Sequence, residues 1–305
     1  MKIQENVPLG SHTTFEIGGK ARYYATVRTE DEIREAVAWA RERKTRFVVL
    51  AGGSNVLLPD EGLDALVVCV ESDDVSFLGN ALEAEAGCNL AQLIHHASER
   101  GLGGWEKLAG IPGTLGGAVR GNAGAFGPEI KDFVVKVRAL DTETGKTREF
   151  TNAACEFSYR QSFFKRHPEW IITRVLLELE PADPAESAKL IERTIAEREK
   201  RHIQNVRAAG SYFVNPVAPK DIRNMFEKEK GVKSREGRVP AGWLIEKVGL
   251  KGARVGGAVA SEQHPNYLKN DGNATAEDVR TLAKMIQNAV RKQFGIELEE
   301  EAAVL

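Results

Sequence analysis

Seven of the eighteen residues from Gly110 to Gly127 are glycine. Glycine lets the backbone reach positive φ and come close to a ligand, and exposed N–H groups in such turns form concave anion sites. A second cluster, Ala51-Gly52-Gly53-Ser54-Asn55, follows the apolar run Phe47-Val48-Val49-Leu50. The plain alternative is that both clusters only make tight turns. Together they point to a large phosphorylated ligand held by backbone. The first cluster lacks G-x-G-x-x-G spacing, and turn-like Pro59-Asp60-Glu61-Gly62 follows it where a dinucleotide fold needs a helix, so a Rossmann domain is disfavoured.

The 305 residues are enough for two or three domains. A formal net charge of −2 provides no long-range field to collect nucleic acid or an anionic membrane. No apolar run is long enough to span a bilayer, the N-terminus has no apolar signal core, and the chain reads as cytoplasmic. Cys69, Cys88 and Cys155 are odd in number and widely spaced, which fits neither a disulfide framework nor zinc, and Cys69 reads as a core residue. His95 and His96 are adjacent and do not share a helix face, so no metal site is expected.

Along the chain, Thr29 to Arg43 reads as a helix capped by Thr29, with Ile33, Val37, Trp39 and Ala40 as its buried stripe. Strands are expected at 47–50 and 63–70, a helix capped by Asn89 at 89–99, a hairpin over 133–141 and 146–150, and a strand at 170–179. Pro181, Asp183 and Pro184 break the chain before a polar helix at 185–201. A last unit from about residue 202 carries helical patterns at 221–229, 241–248 and 275–294.

Three further segments hold polar groups suited to chemistry: Tyr159-Arg160-Gln161-Ser162, Gly210-Ser211-Tyr212-Phe213-Val214-Asn215 and Glu299-Glu300-Glu301. Each has a bland reading. Arg160 can pair with a surface carboxylate, Ser211 can be a turn residue, and a terminal run of carboxylates can be solvated. No triad pattern surrounds Ser211, which disfavours a hydrolase.

Taken in order, these segments resemble the UDP-N-acetylenolpyruvoylglucosamine reductases, in their shorter class without an added segment after the Tyr-Arg motif. The similarity runs from His12-Thr13-Thr14-Phe15-Glu16-Ile17-Gly18-Gly19 through both glycine clusters, Tyr159-Arg160-Gln161-Ser162, Gly210-Ser211, Asn215-Pro216 and Asn273-Ala274-Thr275 to Glu301. The resemblance implies an α+β chain: a two-subdomain FAD-binding fold of the vanillyl-alcohol-oxidase type, at 1–72 and 73–184, followed by a small α/β substrate domain at 185–305. It implies non-covalent FAD, NADPH as hydride donor, a sugar-nucleotide substrate and a monomeric enzyme. Gly52, Gly53, Ser54, Asn55, Gly110, Pro112, Gly113, Thr114, Gly116, Gly117, Asn122, Ala123 and Gly124 would contact the cofactor. Tyr159 and Asn215 would contact the substrate. Arg160, Ser211 and Glu301 would be catalytic.

The implied reaction reduces an enolpyruvyl ether, with hydride to C3 and a proton from Ser211 to C2. Negative charge then grows at C2 and its carboxylate, which calls for fixed positive charge. Arg160 suits that task because a guanidinium stays charged and grips a carboxylate with two donors. Several residues depart from the family pattern: Arg120, Arg207-Ala208-Ala209, Val214, Val259-Ala260 and Glu300. Val214 stands where a cation is usual, and Arg207 or Arg120 is a candidate to compensate. The alternatives are an FAD oxidase or dehydrogenase of the same fold acting on a small alcohol or hydroxy acid, and a non-catalytic nucleotide-binding homologue.

Overall fold

The computed structural model describes every residue except His202, which is where the last unit was expected to begin. The chain forms two compact units. The first contains Met1–Val7, Ala21–Gly52 and Leu63–Lys200; the second contains Pro8–Lys20, Gly53–Gly62 and Arg201–Leu305.

The first unit holds two sheets. In one, the strand Leu63–Val70 lies between Lys20–Val27 and Arg46–Leu50 and runs parallel to both, with Gln4–Pro8 at the edge. Its near-continuous apolar sequence suits a central strand of a parallel sheet, although Cys69 is only partly buried. The helix Glu30–Glu42 buries Ile33, Ala36, Val37 and Ala40 in the same core as Leu66 and Val68. Thr29 caps it, accepting from the Glu32 N–H at 3.2 Å.

The second sheet is antiparallel, in the order Thr147–Thr151, Val134–Asp141, Trp170–Glu178, Ala81–Glu85, Val75–Leu78. Its core residues Val137 and Val175 share a cluster with Leu93 of the Asn89-capped helix Leu90–Glu99, Val119 of the helix Leu115–Gly121 and Ile191 of the helix Pro184–Lys200. Leu115–Gly121 lies inside the glycine segment, where glycine's low helix propensity argues against a helix. Tertiary packing overrides that preference, because a Cβ on Gly116 would lie 2.8 Å from the Ala86 Cβ.

The second unit packs the helices Lys220–Lys230, Ala241–Lys247 and Ala276–Phe294 with an antiparallel sheet of Arg254–Val255, Ala258–Ala260 and Leu268–Asn270. Its chain membership differs from the expected 1–72, 73–184 and 185–305 division. Residues 53–62 join it because Leu57 enters its core, and because the Asp60 carboxylate accepts from the Ala276 and Glu277 N–H groups at 2.9 and 3.3 Å. The helix Pro184–Lys200 stays with the first unit, where the buried Ser187 hydroxyl donates to Glu106 at 2.6 Å. Among the described residues no helix is long and apolar enough to cross a membrane, and no cluster of His, Cys, Asp or Glu could hold a metal ion.

One charged knot joins the helix Glu30–Glu42 to the second sheet. Arg138 donates to both Glu30 oxygens, at 2.6 and 3.1 Å, and the Thr173 hydroxyl donates at 2.7 Å. The Arg138 hydrogen bond holds the Glu30 carboxyl below its ordinary pKa. A depressed folded-state pKa stabilises above the unfolded value and loses that contribution as pH falls. Glu30→Gln should therefore cost ~1 kcal/mol at pH 7, since the pair is partly solvated. In urea melts that cost should shrink once the pH drops below the ordinary glutamate value of about 4.3.

Candidate active site

In the first unit the two glycine clusters meet. A Cβ on Gly52 would lie 2.6 Å from the Gly113 Cα, so Gly52 must be glycine for the turns to touch. Gly110 and Gly113 take φ of 80° and 114°, where side chains are disfavoured. Gly52 and Pro112 are exposed, and Gly113, Thr114 and Gly117 are half-buried. The result is an open rim of backbone with few side chains. Thr114 stiffens it by accepting from the Gly117 N–H at 3.2 Å. Such a rim fits an extended anionic group such as a flavin dinucleotide's diphosphate, held by main-chain donors.

Other residues of the segment serve the protein. Gly116 is buried and donates to the Ala86 carbonyl at 2.9 Å. Ala123 is held by backbone bonds to Ala118 and Ile130, both at 2.8 Å. Asn122 is 0 % exposed with φ 44°, and its side chain is engaged within the protein. Its amide donates to Glu129 at 3.1 Å and the Ser158 carbonyl at 2.9 Å, while its oxygen accepts from the Lys131 N–H at 3.3 Å.

That scaffold holds Arg160. Paired backbone bonds between Ser158 and Gln161, at 3.1 and 3.0 Å, put Tyr159 and Arg160 at the tip of a turn. Arg160 has φ 57°, a strained value for a residue with a long side chain. Its guanidinium donates to the carbonyls of Asn122 at 3.3 Å and Gly124 at 2.8 Å and lies 5.1 Å from the Tyr159 ring centre. The buried Ser162 hydroxyl donates to the Arg120 carbonyl at 2.7 Å, which gives the Arg120 backbone a clear task; the Arg120 side chain is exposed.

The second unit contains Gly53, Ser54, Asn55, Ser211, Asn215 and Glu301. Gly53 has φ 59°, and a Cβ there would lie 2.0 Å from the His12 carbonyl oxygen, so packing alone requires glycine. Ser54 and Asn55 are half-buried beside it. Asn55 reaches the C-terminal tail: its amide donates to the Glu301 carbonyl at 3.3 Å, and its own carbonyl accepts from the Ala303 N–H at 3.0 Å. The tail also pairs with the Ser211 segment, through Glu301 N–H to Tyr212 O at 2.7 Å and Val214 N–H to Glu299 O at 2.9 Å. The Tyr212–Val214 segment directly after Ser211 is thus joined to the tail bearing Glu301 by one backbone ladder. The Asn215 side-chain oxygen accepts from the Ala241 N–H at 2.9 Å, at the start of the helix Ala241–Lys247. Glu300, which replaces the family's usual proline, has its carboxyl pKa raised by burial.

Comparisons with known proteins agree with this organisation. Residues 201–305 match the C-terminal domain of UDP-N-acetylenolpyruvoylglucosamine reductase, and residues 21–151 match an FAD binding domain. The reductase of Solibacter usitatus is 39 % identical over 313 residues, covering 99 % of this chain and 96 % of the relative. The chain belongs to the UDP-N-acetylenolpyruvoylglucosamine reductase family. The reductase of Pseudomonas aeruginosa is 38 % identical, with 99 % of this chain and 98 % of the relative covered. The crystal structure of the Thermus caldophilus enzyme superposes with a TM-score of 0.77 at 30 % identity, covering 99 % and 98 % of the two chains. As a member of the reductase family the chain is an FAD-dependent oxidoreductase of peptidoglycan precursor synthesis. Its fold comprises an FAD binding domain and the family's C-terminal domain, as in the superposed enzyme.

Sequence reading missed Asn266, which hydrogen-bonds the backbone just after Ser211. Its only signal is a Pro-Asn pair in a polar loop, which marks a turn and nothing more. For the arginine turn, Ser162→Ala should cost about 1–2 kcal/mol, because it leaves the Arg120 carbonyl without its donor and uncaps the short helix Phe163–Arg166. Urea denaturation measures this.

Proposed function

We propose that this chain reduces the enolpyruvyl ether of UDP-N-acetylglucosamine enolpyruvate to the lactyl ether of UDP-N-acetylmuramate, with NADPH as the hydride donor. The observation that carries the reading is the backbone ladder joining the segment directly after Ser211 to the tail bearing Glu301 in a chain of this family. Bound FAD supplies hydride transfer, from NADPH to C3 of the enolpyruvyl group. Gly52, Gly113 and Thr114 would hold its diphosphate through main-chain N–H groups of the open rim.

The protein's own part is charge and a proton. The Arg160 guanidinium stabilises the negative charge that spreads from C2 into the substrate carboxylate. Its fixed turn matters because a preorganised donor needs no rearrangement as the charge develops. Glu301 holds and polarises the same carboxylate. Ser211 gives its hydroxyl proton to C2. Serine is a weak acid, but a carbanion-like carbon is a strong base, and water restores the hydroxyl afterwards. Asn215 keeps its amide N–H groups for the substrate, since its oxygen is used on Ala241. Tyr159 packs beside the substrate. The same reading has the protein act as a cytoplasmic monomer.

Two measurements test it. The purified protein should show a flavin spectrum, and Ser211→Ala should leave flavin reduction by NADPH intact while reoxidation by the enolpyruvyl sugar nucleotide collapses. Comparable loss in both half-reactions would refute the serine's role. Arg207, exposed and paired with Glu16 at 2.8 Å, is the cation that compensates for Val214 in binding the diphosphate. Arg207→Ala should raise the substrate KM severalfold with kcat nearly unchanged, and an unchanged KM removes it from that role.

A further inference from the structure

Ser211 follows Gly210, whose φ is 70°, and precedes a short irregular stretch with one isolated bridge, so no regular element holds it. A proton donor has to be held within a fraction of an ångström of its target, and a misplacement of about 1 Å can cost a hundredfold in rate. Something must therefore fix the backbone on the C-terminal side of the serine.

Asn266 does so with three hydrogen bonds. Its own carbonyl accepts from the Tyr212 N–H at 2.7 Å. Its side-chain oxygen accepts from the Phe213 N–H at 3.0 Å, and its side-chain amide donates to the Phe213 carbonyl at 2.8 Å. The side chain thus satisfies both polar groups of one residue, as a neighbouring strand would. Asn266 is 2 % exposed, so these bonds are shielded from competing water. The remaining groups of the stretch, Tyr212 O and Val214 N–H, go to the tail that carries Glu301. The loop bearing Asn266 is itself closed by Ser261 N–H to Tyr267 O at 2.9 Å and Tyr267 N–H to His264 O at 2.8 Å.

We propose that Asn266 is a positioning residue for proton delivery by Ser211, acting by clamping Phe213 and through it the ladder to Glu301. The inference rests on the proposed role of Ser211. No other side-chain amide could make both bonds from this place with the same reach: aspartate lacks the donor, and glutamine adds a methylene to a closed site.

The test uses the flavin-loaded protein and two variants, Asn266→Ala and the milder Asn266→Ser. In stopped-flow experiments Asn266→Ala should reduce flavin with NADPH at the wild-type rate. It should then reoxidise with the enolpyruvyl sugar nucleotide about ten- to a hundredfold more slowly at saturation. The half-saturating substrate concentration should change far less than the rate, and Asn266→Ser should fall between Asn266→Ala and wild type. Hydrogen exchange should accelerate in the peptide spanning 211–216 while the helix Ala276–Phe294 keeps its protection. Wild-type reoxidation, equal loss in both half-reactions, unchanged exchange at 211–216, or loosening of that helix in both variants would each overturn the proposal. Ser211→Ala separates the two levels. If it reoxidises normally, the serine reading itself fails; if it collapses while both Asn266 variants behave as wild type, only the clamp is wrong.

Discussion

Asn122 takes a left-handed backbone conformation with its side chain wholly enclosed, and a buried amide must find partners or cost stability. It finds them on the Glu129–Lys131 and Ser158 segments. The helix Leu115–Gly121 ends there, the chain turns, and the Asn122 carbonyl becomes an acceptor for Arg160. The arginine's orientation is thus a consequence of how a glycine-rich helix terminates. Ser162 closes the same arrangement from the other side of the turn, through the Arg120 carbonyl.

The second unit follows the same principle with different parts. Ser211 and Glu301 sit on segments with little regular structure, and side-chain amides supplement the backbone ladder as their partners. Asn55 holds the Glu301 carbonyl, Asn266 holds Phe213, and Asn215 meets the start of the helix Ala241–Lys247. Asparagine suits this because it offers a donor and an acceptor at short, rigid reach. Irregular backbone leaves reactive side chains uncovered, and the amides supply the rigidity that a sheet would otherwise give.

Local signals in the chain were easy to read. Thr29, Asn89 and Thr275 cap helices because their side chains accept from N–H groups three residues on, a rule that needs no tertiary context. The parallel strands at Arg46–Leu50 and Leu63–Val70 show as apolar runs, and the hairpin of Val134–Asp141 with Thr147–Thr151 shows in its turn. The helix Leu115–Gly121 was not legible, since glycines at 116, 117 and 121 oppose it and only packing against Ala86 favours it. The strands Lys20–Val27 and Ala81–Glu85 likewise carry no pattern strong enough to stand alone.

The order of the motifs determined the family and named Arg160, Ser211 and Glu301, because residue identity and spacing along the chain are properties of sequence. Tertiary structure alone decided which glycines are demanded by packing and which leave backbone open: Gly53 and Gly116 against His12 and Ala86, Gly113 and Gly117 at the rim. It also decided that residues 53–62 belong with the C-terminal unit and that Asn55 and Asn266 hydrogen-bond the backbone of Glu301 and Phe213. These are contacts between segments 53 to 246 residues apart, and their free energy depends on burial and geometry that exist only once the chain has closed on itself.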